Sequence, residues 1–438
     1  MLEFCLSLGY GAIFLFIMGK MRLFRHETVS LSTFRVLFVI KIIAGIALFL
    51  IYTRYYPDRK YADIFRYYDD SGVIYQALLS HPIDFFRMVT GIGSDSPHLQ
   101  PYYDAMLNWY NTDLVFNDSR TMIRLNAVMR LFDAGTYFPH TVIMSFLAMM
   151  GLTGIYNVFT SAYRNREFMM MVIVFLMPST LLWSSGMIKE AFLLFAIGGL
   201  LFTMQCLMED KRFSKRKLIW IIGYIFCLLT IKAYIFFAIL PGVIAWMLMK
   251  KIKRYRLLTT SAIHIIYFAA LGFFAPILVK GEIPVLLAAK QQEFYKVAGL
   301  EQAKSVINIP QLDPSWESLI TNAIPAFFTT LLRPTLLEVS SVMMAPAALE
   351  NTLILILIFV CMAAIRFSQL KSLPDIFFVA LFFSASLFIL TGLTTPILGA
   401  LVRYKVPAIP FLMLTITSLG SRKWMSYTPA FLLKFQGS

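Results

Sequence analysis

The residues best suited to chemistry in this chain are carboxylates that sit just outside its apolar stretches. The run Tyr61-Ala62-Asp63-Ile64-Phe65-Arg66-Tyr67-Tyr68-Asp69-Asp70-Ser71-Gly72 holds three acids, Asp63, Asp69 and Asp70, directly after an apolar segment. A carboxylate at the level of lipid headgroups can accept a proton from a hydroxyl that attacks an electrophilic carbon. It can also bind a divalent cation. The aromatic residues of the same run suit stacking on sugar rings, whereas a plain solvated loop would need none of them.

Cations form the second set. Arg403 and Lys405 lie in Arg403-Tyr404-Lys405-Val406-Pro407. A guanidinium there can hold a lipid phosphate or pyrophosphate in fork geometry and stabilise it as a leaving group; ordinary snorkelling toward headgroups is the competing role. Lys189-Glu190 opens an apolar helix, where charges must pair or face a polar cavity. Lys232 stands between two short apolar segments, and Lys41 lies within another, where snorkelling is expected. Arg333-Pro334 with Glu338, then Glu350-Asn351, form a further polar cluster. The five histidines are scattered without zinc-helix spacing, so no metal site is expected beyond a divalent cation at the acids. No Gly-x-x-x-x-Gly-Lys-Ser/Thr loop is present, and the four cysteines show no metal or redox spacing.

The elements that must position these groups follow from composition. Hydrophobic residues make up 59% of the 438 and charged residues 14%, too few to coat a soluble chain of this length. A soluble enzyme, a disordered chain and a disulfide-stapled domain are excluded. The expected fold class is all-α: a polytopic transmembrane helical bundle, one integral-membrane domain over 1–438. Eleven segments are apolar enough to span, about 2–18, 36–53, 139–161, 168–185, 188–208, 218–232, 234–249, 257–279, 351–366, 375–395 and 404–420. The first reads as a span rather than a cleavable signal. The sixth and seventh are short and meet at Ile231-Lys232-Ala233-Tyr234.

The net charge of +15 would suit nucleic acid in a soluble protein, but here it sorts by loop. Short connections carry 21 of the 39 basic residues against five acids, which places them in the cytoplasm, the amino terminus outside and the carboxyl terminus inside. Two long segments, 54–138 and 280–350, then fall on the extracytoplasmic side, where acids outnumber bases 17 to 13. Within them, 118–133 spaces its apolar residues three and four apart and reads as an amphipathic helix on the membrane surface. The stretch 283–307 is similar but weaker.

Nucleotides are scarce outside the cell, so an enzyme working there takes an activated substrate that arrives on a lipid. The chain resembles the GT-C superfamily of integral-membrane glycosyltransferases. The acid cluster Asp63 to Asp70 after a spanning helix, the second long outer segment, and an ending similar to Arg-Tyr-x-x-Pro carry that resemblance. An additional amino-terminal helix and Asp69-Asp70 in place of an Asp-Glu pair depart from it. The resemblance implies inverting transfer of a sugar from a polyprenyl-phosphate donor to a glycan, lipid or protein acceptor, in bacterial cell-envelope polysaccharide assembly at the cytoplasmic (inner) membrane. Asp63, then Asp70 and Asp69, would orient or deprotonate the acceptor. Arg403, Lys405, Lys189, Lys232 and Arg333 would hold the donor phosphate, with Glu190, Glu338 and Glu350 in the surrounding polar clusters. No nucleic acid is expected as a partner. A polysaccharide polymerase or ligase acting on lipid-pyrophosphate glycans is the nearest alternative; a polytopic transporter or flippase is a more distant one, because the spans hold few charges besides Lys41.

Overall fold

The structure is a computed structural model that describes residues 1–55, 59, 62–109, 118–133, 135–210, 214–252, 255–279, 281–300, 305–340, 344–365 and 372–420. The described residues are helical with one isolated antiparallel bridge, Val306 to Ile397. Helices of seven or more residues are α1 (Leu2–Lys20), α2 (Leu31–Tyr55), α3 (Asp63–Ser80), α4 (Pro82–Thr90), α5 (Asp118–Asp133), α6 (Tyr137–Ala162), α7 (Lys189–Glu209) and α8 (Lys215–Met249). They continue as α9 (Arg256–Val279), α10 (Ile283–Leu300), α11 (Trp316–Leu332), α12 (Ala345–Ala363), α13 (Asp375–Thr394), α14 (Leu398–Tyr404) and α15 (Ile409–Leu419).

Nine stretches among the described residues are long and apolar enough to cross a bilayer: α1, α2, α6, α7, α8, α9, α12, α13, and α14 with α15. The chain is a multi-pass membrane protein. Its spans differ from the sequence expectation in one place. The stretch 168–185 is no single span: Glu167–Met171 is α-helical, Val172–Leu176 is a π-helix, Met177 is extended (φ −60, ψ 124), and Pro178–Trp183 starts anew. Pro178 explains the break, since it lacks an N–H and pushes the residue before it out of the α region. The two short segments expected to meet at Lys232 do so: they are the two helical halves of α8, separated there by non-helical backbone (φ −150, ψ 84).

The chain divides into two compact units, one of Met1–Asn157 and Leu181–Phe236, the other of Val158–Thr180 and the described residues from Phe237 on. In unit one, α6 and α7 touch backbone to backbone. A Cβ on Gly151 or Gly198 would collide with the other helix's main chain, and one on Gly154 would come within 2.5 Å of the Gly198 carbonyl oxygen. Without a hydrophobic driving force between helices in lipid, such close van der Waals packing is what joins them. Glu3 of α1 joins the same group, its Oε1 accepting the Tyr137 and Phe138 amides at 2.9 Å and so satisfying the exposed N-terminal amides of α6. In unit two, α11 and α13 approach in the same way at Gly392 beside Ala326, and Thr330 donates to the Phe388 carbonyl at 2.8 Å. Phe4, Leu8 and Phe16 of α1 and Ile265, Ile266 and Phe273 of α9 are exposed, as lipid-facing residues of spans must be.

The amphipathic helix expected over 118–133 is present as α5, but its apolar stripe is covered by protein. Met122, Ile123, Asn126, Ala127, Arg130 and Asp133 are buried, and α3 packs across it. Only Leu131 and Phe132 of its large apolar residues are exposed.

Gly151→Ala and Gly198→Ala should each lower the thermal midpoint in detergent, at a cost of about 1–3 kcal/mol. Gly223→Ala, where an added Cβ meets nothing within 4 Å, should not lower it. Equal midpoints for all three would contradict the close helix contact.

Candidate functional site

In unit one, polar groups collect where α3 and α5 meet the first turns of α6 and α7. Lys189, the first residue of α7, is buried, and its Nζ donates to Asp118 Oδ2 at 2.6 Å while lying 4.9 Å from the centre of the Tyr67 ring. Asp118 opens α5, and its side chain is 44% exposed, so solvent reaches this carboxylate. At the other end of α5, Asp133 pairs with His140 of α6, both fully buried, and Asp133 Oδ1 accepts the Gly135 amide at 2.8 Å. Thus α5 ties together the first turns of two spans.

Between these ends α3 is fastened by Arg130. Its guanidinium stacks on the Tyr68 ring at 3.9 Å and donates to Ser71 Oγ at 2.8 Å and to the Tyr68 carbonyl at 2.6 Å. Burial lowers the Arg130 pKa from its ordinary value.

The three nominated acids of α3 have separate fates. Asp70 is buried and accepts the amides of Leu107 at 3.1 Å and Asn108 at 2.7 Å, so both of its oxygens hold the 107–108 backbone against α3. Burial raises its pKa above the ordinary carboxylate range, with those two amides pulling the other way. Asp69 is exposed and takes a two-pronged bond from Arg59, at 2.7 and 2.8 Å, while that guanidinium also stacks on Phe65 at 3.9 Å. Asp63 begins α3, and its side chain lies outside the described set.

Lys232 lies at the break in α8 and pairs with Glu190 at 3.2 Å, both buried. Lys41 does not snorkel. It is buried and donates to the hydroxyls of Ser184 and Ser185, the latter at 3.2 Å, because those serines follow the broken stretch and face α2.

In unit two the remaining candidates gather at a second knot. Lys405 is buried, and its three N–H groups are matched by the carbonyls of Thr330 (3.0 Å) and Arg333 (3.3 Å) and by Asn351 Oδ1 (2.8 Å). Asn351 in turn donates to the Pro334 carbonyl at 3.0 Å. Glu350 is buried and accepts the Ser179 amide at 2.6 Å. Arg333 pairs with Glu338 at 3.2 Å, and Glu338 closes a capping box on Thr335. Arg403 is half-buried, 5.5 Å from the Tyr404 ring centre.

Of the nominated cations, then, Lys189, Lys232 and Lys405 are each committed to oxygen partners within the fold, and Arg403 and Arg333 keep partial exposure. Sequence reading missed Asp118, Arg130, Asp133 and His140. The spacing of 118–133 disclosed the helix but not which of its polar residues would meet a span. Among the described residues no cluster of three metal-ligating side chains occurs. No protein-family model, curated protein or solved structure matches the chain.

Two outcomes follow. Asp118→Asn removes the counter-charge of the buried Lys189 ammonium and should cost about 1–3 kcal/mol of stability, whereas adding Lys189→Met should recover most of that loss; a double variant as weak as the single one would contradict the pairing. Asp70 gives a pH signature. A carboxyl whose folded pKa lies above its unfolded value of about 4 stabilises fully below that value and less as pH rises through the folded one. The midpoint of the wild type relative to Asp70→Asn should therefore fall as pH rises above about 4. A flat or rising difference would contradict the buried carboxyl.

Proposed function

We propose that this protein is a membrane glycosyltransferase. It moves a sugar from a polyprenyl-phosphate donor to a glycan, lipid or protein acceptor at the extracytoplasmic face of the bacterial inner membrane. The observation that carries this reading is the Asp118 carboxylate, partly exposed to solvent yet fixed at 2.6 Å by Lys189 at the start of a span, the same ammonium that lies 4.9 Å from the Tyr67 ring of the acid-rich helix. A carboxylate fixed in this way can orient an acceptor hydroxyl and take its proton as the hydroxyl attacks the anomeric carbon. The charge distribution of the loops supports an outward placement of α3 and α5. Asp63 remains a candidate base with Asp118. Asp70 acts as a positioning residue, through the backbone it holds. Arg403, half-exposed beside Tyr404, is the donor-phosphate candidate, and a guanidinium there would stabilise the departing phosphate.

A polymerase or ligase acting on lipid-pyrophosphate glycans is the second reading. It is favoured by the structural employment of Asp69 and Asp70, which leaves fewer acids open for base catalysis.

Transfer from a polyprenyl-phosphate sugar, followed in membranes, separates the two. Asp118→Asn or Asp63→Asn should lower the rate at least about 100-fold, as should Arg403→Ala, while Asp69→Asn stays within a few-fold. If every acid variant keeps full transfer and only Arg403→Ala fails, the base-catalysed reading is wrong and the second takes its place.

A further inference from the structure

Unit two contains a groove of about 890 Å³ between α10 and the loop that follows it, in the size range of a site for an extended small ligand. Gln292, Tyr295 and Lys296 line it from the helix, and Asn308 and Gln311 from the loop, over a floor of Ile309 and Pro310. We infer that this groove is a saccharide-binding subsite that holds the acceptor glycan; the inference rests on the sugar-transfer reading above.

Residues 305–312 of that loop are held in place by hydrogen bonds. Gln291, buried beneath it, donates to the carbonyls of Pro310 at 3.0 Å and Leu393 at 2.7 Å and accepts the Leu312 amide at 2.9 Å. Farther along, the Ile307 amide donates to the Pro396 carbonyl at 2.7 Å and the Leu398 amide to the Ser305 carbonyl at 2.9 Å. The Tyr295 hydroxyl accepts the Ile309 amide at 3.4 Å, which fixes the ring at the groove wall. A wall ordered in advance spares a ligand the entropy of ordering it.

The chemistry of the lining selects the ligand class. Three of its five polar side chains are carboxamides, and none of the three hydrogen-bonds to protein among the described residues. A carboxamide offers a donor and an acceptor together, as vicinal sugar hydroxyls do. Tyr295, half-buried against the cluster of Ile307 and Ile309, adds aromatic surface at the groove wall for the C–H side of a pyranose. Lys296 is the single charge in the lining, whereas the neighbouring Lys290 and Glu293 neutralise each other at 2.8 Å. One lysine without a guanidinium or a helix N-terminus makes a poor phosphate site, so a hydroxyl-rich chain fits better than a phosphate. The groove is also joined to the phosphate candidate: Phe294 of α10 packs edge-on against Tyr404 at 5.9 Å, next to Arg403.

The test uses the full chain in nanodiscs and, as probe, end-labelled cell-surface polysaccharide extracted from the cells that make this protein. Wild type should bind it, and Asn308→Ala with Gln311→Ala, both exposed and without a hydrogen bond to another described residue, should weaken binding at least about tenfold. Inorganic pyrophosphate should not compete. No binding by wild type, undiminished binding by the double variant, or displacement by pyrophosphate would each overturn the subsite. Asp118→Asn separates this from the wider reading. If it abolishes transfer while the groove variants bind as wild type, the subsite falls and the transferase stands. If binding depends on the groove but no transfer occurs in any variant or in wild type, the transferase falls and the saccharide site stands.

Discussion

An ammonium group removed from water must be matched by oxygen, and this requirement shapes both units. Isolated charges are costly to bury, and more so within a bilayer. Lys41, Lys189, Lys232 and Lys405 are all buried, and each meets that condition differently: serine hydroxyls, an aspartate, a glutamate, and two carbonyls with an amide oxygen. The partners come from distant parts of the sequence, so each lysine joins segments that apolar packing alone would leave free to slide. In lipid this matters more than in water, because one apolar helix face packs against another about as readily as against acyl chains. Close glycine contacts hold α6 to α7 and α11 to α13, and the lysines fix what those contacts leave undetermined.

The same logic explains why a helix outside the spans is so firmly held. α5 has a buried stripe, yet its two ends are fixed by charge, Asp118 on Lys189 and Asp133 on His140. Arg130 then couples it to α3 through a ring face, a hydroxyl and a carbonyl. Several modest interactions that share one guanidinium hold better than the same number spread apart, since ordering that side chain is counted once. The acid-rich helix is thereby positioned by residues that carry none of its acidity.

Much of this was legible in the sequence, and the limits have physical causes. Helical membrane architecture follows from composition, and the interruption at Lys232 follows from two apolar segments each too short to span upright. α5 is visible from its spacing, because a buried face leaves a period near 3.6. The broken stretch around Pro178 was misread as one span: hydropathy is blind to the missing amide, although the proline itself was the available signal. Partners were the least legible. Lys41 and Ser185 are 144 residues apart, and no local pattern links them. Snorkelling was the default expectation for Lys41 because sequence shows the charge and hides the hydroxyls that receive it.

Structural use of a charged group and chemical use of it compete for the same lone pairs. Asp70 has both oxygens on backbone amides, and Lys405 has three oxygen partners, so binding a substrate through either would mean giving up contacts that hold the fold. A group suited to catalysis must instead be anchored on one side and open on the other. Asp118 comes near that description in unit one: its Oδ2 is held by Lys189, its Oδ1 accepts the Ser119 hydroxyl at 3.4 Å, and its side chain is still 44% exposed. Arg403 comes nearest to it in unit two, half-exposed beside an aromatic ring that itself packs on α10. On this argument, the exposed face of a residue whose other face is tied down marks reactive chemistry better than acid count or depth of burial. In the proposed transfer reaction it therefore shifts weight from the crowded pair Asp69-Asp70 toward the start of α5.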